Sequence, residues 1–308
     1  MTTNRSRREF LGSAGLLGIG AGLACAEADE ERETGAEKVA ELSYKGESIR
    51  FGLVTYQWGK DWELITLLRN CAVAGVGGIE LRTTHAHGVE PSLSKTERED
   101  VRRAFADSNV ICLGPGSNER FDHPDGGTLK AAIERTKEFI RLSHDIGGSG
   151  VKVKPNDFHP EIPREKTIEQ IGKSLGELAD YALGFGQEIR LEVHGSCADL
   201  PVIAKIIEVA DHPSARVCWN SNANDLAGDG LKANFGLVEE MLGETLHVRE
   251  LDDQRYPYSQ LFDMLVELDY PGWVLLEASS KPKDRVLALK RQKELFSEKL
   301  LAARSRAT

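Results

Sequence analysis

From Ser48 onward the chain alternates, eight times over, a short β-rich apolar run with a longer segment of helical period. This alternation constrains the fold more than any other feature, because a strand followed by a covering helix rejoins its sheet as a parallel neighbour. The expected strands span 49–56, 78–82, 110–113, 150–154, 188–194, 215–219, 245–250 and 273–277. Each is short and mostly apolar or β-branched, as strands covered on both faces are. The expected helices span 62–74, 96–107, 128–145, 167–185, 199–209, 231–242, 259–268 and 283–301. In the fourth, Ile168, Ile171, Leu175, Leu178 and Leu183 recur at three- and four-residue spacings while Glu169, Lys173 and Glu177 fill the opposite face. Thr128 and Asp199 read as helix N-caps, and Gly147-Gly148 as the exit from the third helix. Eight such units in roughly 260 residues predict an α/β chain with one closed (β/α)8 barrel, a fold of about 250 residues. An open doubly wound sheet is the alternative. It would carry a Gly-rich phosphate-binding turn after its first strand, where this chain has Thr55-Tyr56-Gln57-Trp58-Gly59.

Charge narrows the choice of partners. The 39 Lys and Arg against 49 Asp and Glu give a net charge of −10, so no basic field is available to gather nucleic acid or anionic lipid. The N-terminus has its own logic: Arg7-Arg8 precede Phe10-Leu11, then a small-residue apolar run, then Ala24-Cys25-Ala26. That run is shorter than the roughly 20 residues a spanning helix needs, so it reads as a cleavable leader and not as a stable membrane span. It resembles a twin-arginine export signal, which implies a periplasmic protein that is exported folded, often with its cofactor installed. Anchoring by lipid through Cys25 is the weaker option, because Gly22 stands where a branched apolar residue is preferred. The expected organisation is a signal peptide at 1–26, an acidic flexible linker at 27–47 and the barrel at 48–304. Removing the leader takes away Arg5, Arg7, Arg8 and Glu9 and leaves 36 basic against 48 acidic residues, a charge of −12. Cys71, Cys112, Cys197 and Cys218 lack metal-knuckle spacing and are expected as buried thiols.

In a barrel of this kind the chemistry sits at the C-terminal strand ends. Read in order, those ends supply Tyr56, Gln57 and Trp58; Glu80, Arg82, His85 and His87; Asn118; Lys152 and Lys154; Glu192 and His194; Asn220 and Asn222; His247, Arg249 and Glu250; and Glu277. Glu192 and His194 are two apart and would share a strand face, as would Lys152 and Lys154. Glu277 follows Val274-Leu275-Leu276, where an unpaired charge is costly to desolvate. Glu192, Glu277, His247 and the amide oxygen of Asn220 or Asn222 together suit a divalent ion such as Mn²⁺, Mg²⁺ or Zn²⁺.

The motifs Gly78-Ile79-Glu80-Leu81-Arg82, Leu191-Glu192-Val193-His194, Val217-Cys218-Trp219-Asn220, Leu246-His247-Val248 and Gly272-Trp273-Val274-Leu275-Leu276-Glu277 fall on strands two, five, six, seven and eight. In that order and spacing, over roughly 50–301, the chain resembles the xylose isomerase-like TIM barrels, which include the sugar phosphate isomerases and epimerases. The resemblance implies that Glu192, Asn220, His247 and Glu277 bind one divalent metal and that the two glutamates shuttle the substrate proton. Two departures stand out. The metal-binding Asp of the sixth strand is Asn220, a neutral donor, and Ala223 replaces the His that often follows it, with Asn222 as candidate substitute.

The expected function is therefore an isomerase, an epimerase or a related lyase that takes a proton beside the carbonyl of a sugar or keto-sugar. Trp58, Glu80, Arg82, His85, His87, Lys154, His194, Asn222 and Arg249 are its candidate substrate contacts. Each also has a plain structural reading: a packed rim aromatic for Trp58, a solvated loop for the two histidines, an outer ion pair for Arg249. The rival functions are a non-catalytic carbohydrate-binding barrel and metal-assisted phosphodiester cleavage, the second disfavoured by the acidic charge. A homo-oligomer is compatible with the sequence.

Overall fold

In the computed structural model, residues 45–307 are described. The expected leader, with its export signal and Cys25, and nearly all of the linker lie outside them. Eight parallel strands form one sheet: β1 (Arg50–Val54), β2 (Gly78–Arg82), β3 (Ile111–Arg120), β4 (Gly150–Lys154), β5 (Glu188–Glu192), β6 (Ala215–Cys218), β7 (Thr245–Val248) and β8 (Trp273–Leu276). Helices follow them in turn: α1 (Leu64–Ala74), α2 (Lys95–Ala106), α3 (Gly126–Ile146), α4 (Arg164–Leu183), α5 (Leu200–Ala210), α6 (Leu231–Gly236), α7 (Tyr258–Glu267) and α8 (Arg285–Ala307). The sheet order is β6-β5-β4-β3-β2-β1-β8-β7. Its ends meet through the bridges Val217↔Leu242 and Asn220↔His247, and the His247 amide donates to Trp219 O at 2.7 Å. The result is the expected (β/α)8 barrel, closed at a seam that two of the candidate metal ligands occupy.

Alternation along each strand sorts side chains into two cores. Outward residues such as Leu53, Ile79, Val151, Leu191, Val217 and Leu276 pack beneath the helices in one large apolar cluster. The inward apolar cluster is small, consisting of Val54, Leu113, Trp273 and Leu275 with Tyr56 against it. Inward positions elsewhere are charged or polar: Glu80, Lys152, Arg190, Glu192 and His247 are each no more than 2% exposed. Branched aliphatic residues usually fill such an interior, so burying this many charges points to a use other than packing.

Three local expectations need correction. β3 runs ten residues to Arg120, where a four-residue strand ending at 113 was expected, and Gly114-Pro115-Gly116 lies inside it. Here the strand shifts register against β2 between Ile79 and Glu80. Gly114 adopts φ +112, and a Cβ on Gly116 would stand 2.5 Å from the Glu80 carboxylate, so both glycines are required where they are. The helix expected at 231–242 stops at Gly236 and resumes only as a 3-10 turn, Glu239–Met241. The cap of α3 is Asp125, whose Oδ1 accepts from the Thr128 amide at 2.7 Å; Thr128 lies inside the first turn. Asp199 does occupy the N-cap position of α5, without a side-chain cap bond. The thiols of Cys71, Cys112, Cys197 and Cys218 are buried and free, as expected.

Candidate functional site

β5 ends on Glu192, β7 carries His247, Asn220 lies two residues past β6 and Glu277 follows β8 directly. All four side chains are buried, Glu277 the least at 5% exposure. One ligand atom from each of Glu192, His247 and Glu277 can be chosen so that all lie within 4.8 Å of one another. Asn220 Nδ2 bridges the two carboxylates, donating to Glu192 Oε1 at 2.9 Å and to Glu277 Oε2 at 3.3 Å. His247 Nδ1 stands 3.7 Å from Glu192 Oε1, an ion-pair distance beyond hydrogen-bond reach.

Cations brace this cluster. Lys152 donates to Glu192 Oε2 at 2.7 Å, with both side chains 2% exposed. Arg249 Nη1 lies 3.2 Å from Glu277 Oε2, and Arg82 Nη1 lies 3.8 Å from Glu277 Oε1. Burial alone would raise the pKa of Glu192, but the Lys152 ammonium and His247 outweigh it and hold the carboxyl well below its ordinary value. Burial also opposes charge on His247, yet Cys218, Glu80 and Glu192 together hold it well above the usual histidine range.

The donor set fits a divalent ion. His247 Nδ1 and Asn220 Oδ1 are buried with no hydrogen-bond partner among the described residues. Glu80 Oε2 lies 3.3 Å from His247 Nε2, the carboxylate–imidazole arrangement that fixes a ligand's tautomer and leaves the other nitrogen's lone pair free. A half-turn of the Asn220 amide exchanges its oxygen and nitrogen and presents Oδ1 between the carboxylates. Glu192, His247 and Glu277, joined by Asn220, would hold the ion, which would displace the His247 proton on binding.

The remaining candidates divide. Arg82, Lys154, His194 and Arg249 stand at the mouth. Lys154 Nζ donates to Asn118 Oδ1 at 3.3 Å, and burial together with Lys152 lowers its pKa to about 8. The His194 ring is half-buried, its Nδ1 has no partner among the described residues, and burial lowers its pKa. β5 has ended at Glu192, so His194 belongs to the following loop. His85 is half-buried with Nδ1 3.1 Å from Thr55 Oγ1, and burial, with His87 and Arg82 nearby, lowers it to about 4.

Four candidates have structural roles instead. Trp58 is 3% exposed and donates its indole N–H to Ser280 O at 2.9 Å, so no face is offered to a sugar. His87 uses both ring nitrogens locally, on Arg82 O at 2.9 Å and the Val89 amide at 3.0 Å. Glu80 orients His247 and does not reach the mouth. Asn222 Nδ2 donates to Val193 O at 2.8 Å and Asn220 O at 3.0 Å, which ties this side chain to the backbone of the neighbouring strand ends. His159 Nε2 lies 3.0 Å from Oδ2 of the buried Asp122. The sequence named Asn118 without giving it a role, because the third strand read as ending before it; its oxygen takes both Lys154 and Arg82, the latter at 3.4 Å.

A separate cavity of about 460 Å³, lined by Glu188, Arg216, Glu240, Glu244 and Tyr270 among others, opens at the opposite, N-terminal strand ends, away from these carboxylates.

Among curated proteins, none matches the chain in sequence. Solved structures do match. An L-ribulose 3-epimerase is 16% identical over 84% of this chain and 97% of its own, with a TM-score of 0.73. The 3-keto-D-glucoside 4-epimerase YcjR from E. coli is 14% identical over 81% and 99%, with a TM-score of 0.69. The IOLI protein with a bound zinc atom is 16% identical over 82% and 99%, with a TM-score of 0.68. At such identities the likeness is one of fold. Residues 68–299 match the family model described as xylose isomerase-like TIM barrel, and the chain belongs to that family.

Proposed function

We propose that this barrel is an isomerase or epimerase of a sugar or keto-sugar, working by proton transfer beside a carbonyl with the help of a divalent metal ion. The observation that carries the reading is the pair of buried carboxylates, Glu192 and Glu277, bridged by Asn220 and flanked by a histidine nitrogen with no partner. The sugar epimerases among the structural neighbours, and the zinc bound to one neighbour, support it. Lys152 keeps Glu192 ionised and so ready to accept a proton. Glu277, gripped by Arg249 at the mouth, faces it across Asn220 and is placed to hand carbon a proton drawn from solvent, while Glu192 releases the substrate's proton to solvent. When bound, a divalent ion would polarise the substrate carbonyl and stabilise negative charge that develops on it. Delivery to the periplasm by a twin-arginine leader belongs to the same proposal and rests on Arg7-Arg8 and the apolar run after them.

The test is deuterium uptake from D2O at the carbon beside the carbonyl, followed by NMR over a panel of ketoses and keto-sugars with Mg²⁺, Mn²⁺ or Zn²⁺. Uptake by the parent that is lost in Glu192→Gln and Glu277→Gln is the expected result. One observation favours a second reading, a carbohydrate-binding barrel without turnover: Lys152 and Asn220 already neutralise and bridge the carboxylates. Sugar binding with no deuterium uptake on any substrate would select it.

A further inference from the structure

At the mouth, Arg82, Lys152, Lys154 and Arg249 surround two carboxylates, Glu192 and Glu277, while Glu80 is taken by His247 beneath them. Lys152 is spent on Glu192 and Arg249 on Glu277. Lys154 makes no ion pair among the described residues; its Nζ reaches only the neutral Asn118 oxygen at 3.3 Å. Arg82 Nη2 reaches that same oxygen at 3.4 Å, while its Nη1 stays at the long distance of 3.8 Å from Glu277. Two cations thus converge on one amide oxygen, where a carboxylate would satisfy both better. The guanidinium is held in place by the Tyr56 ring, 4.6 Å below it, and its side chain is 18% exposed. A bound divalent ion would add to the excess, and the chain as a whole is acidic, so this charge is local and not a general property of the surface.

We infer that Lys154 and Arg82, around Asn118, bind an anionic substituent of the substrate, so that the sugar handled here is charged and not neutral. This deepens the proposed function and rests on it. Arg82 spans the distance between the anion and Glu277, which places the charged substituent one guanidinium away from the carboxylate that handles the proton. Asn118, lacking charge, leaves the two cations free for the ligand.

The experiment measures equilibrium binding to the full chain by calorimetry, separately from turnover, with D-glucose, D-glucuronate and D-glucose 6-phosphate as probes. At least one anionic probe is expected to bind tenfold or more tightly than glucose. That preference should fall at least tenfold in Lys154→Met, recover in Lys154→Arg, and vanish in Asn118→Asp, which supplies an internal anion. A winning uronate identifies a carboxylate as the source and a winning phosphate ester identifies phosphate; either supports the site. Equal binding of all three probes, no binding of any, or a preference unchanged in both Lys154→Met and Asn118→Asp, overturns it. Anion-selective binding without deuterium uptake would overturn the isomerase reading alone, and uptake on neutral sugars without anion preference would overturn this inference alone.

Discussion

The two ends of the barrel treat buried charge in opposite ways. Near the N-terminal strand ends, Arg190 is 1% exposed, and each of its nitrogens has a partner: Glu188 at 2.9 Å, Leu113 O at 3.0 Å, Ser149 at 2.8 Å and Glu244 at 3.0 Å. At the C-terminal ends, Lys152 is equally buried and sits beside Arg190 in the strand register. The network it joins, however, leaves atoms of Glu80, Asn220 and His247 without partners. Arg190, with every nitrogen bonded, is a structural fastener. Burying polar atoms unpaired costs about 1–3 kcal/mol each, a cost that a binding site recovers when its ligand arrives.

The contrast can be broken most sharply at the carboxylates. Glu277→Gln and Glu192→Gln should each lower deuterium uptake by about 10²–10⁴-fold while circular dichroism stays that of the parent, since an amide cannot take the proton. Retention of parental uptake in Glu192→Gln would remove that residue from the mechanism.

Next in size are the two buried cations. Lys152→Met strands the buried Glu192 and should cost about 3–5 kcal/mol by denaturant unfolding without metal. Arg190→Met takes a buried donor from Leu113 O and from the part-exposed Glu188 and Glu244, and should cost about 1–3 kcal/mol. Added divalent ion should restore the Lys152 variant and do nothing for the Arg190 variant, because only the upper end has ligand positions for it. Equal rescue of both would erase the distinction drawn here.

Glu80→Gln comes third. It keeps the shape of the side chain but weakens its hold on His247 Nε2, so metal affinity by titration should fall about 10–100-fold. Unchanged affinity would reduce Glu80 to packing.

The smallest effect concerns Asp225, a buried residue in the loop after β6 that accepts from Tyr256 Oη at 2.7 Å and from the Asn222 amide at 2.9 Å. Burial raises its pKa from 3.8 to about 7. The folded state therefore binds this proton more tightly than the unfolded state, and stability falls as pH rises from about 4 to about 7. Asp225→Asn should raise the melting temperature by a few degrees at pH 8, with the gain shrinking toward pH 4. A gain independent of pH would contradict the assignment.

The outer architecture was legible in the sequence because strand and helix periods are written in apolar residues. β2 and β4 have their expected bounds, and the other strands differ from expectation mainly at their ends. Glu192, His247 and Glu277 were legible for the same reason, as polar residues at the ends of buried strands, whereas the choice of Asn220 over Asn222 rested on the resemblance to the family. What the sequence hid depends on distant partners. Trp58 and His87 look like binding residues until the carbonyls of Ser280 and Arg82 take their polar atoms. Lys152 and Lys154 are alike in the sequence, yet one is sealed against Glu192 and the other opens on Asn118. Gly114-Pro115-Gly116 carries the signature of a turn yet lies in a strand, with glycine at two positions because Glu80 and the Gly150 backbone fill the space that side chains there would need.

On the proposed function, the upper end of the barrel is an incomplete charge network that takes a divalent ion. Metal content of the full chain purified without chelator, measured by elemental analysis beside Glu277→Gln, tests it most directly. About one ion per chain is expected in the parent, with loss of the ion in the variant. A parent that stays metal-free after dialysis against Mn²⁺, Mg²⁺ and Zn²⁺, or a Glu277→Gln variant that binds as the parent does, would contradict it.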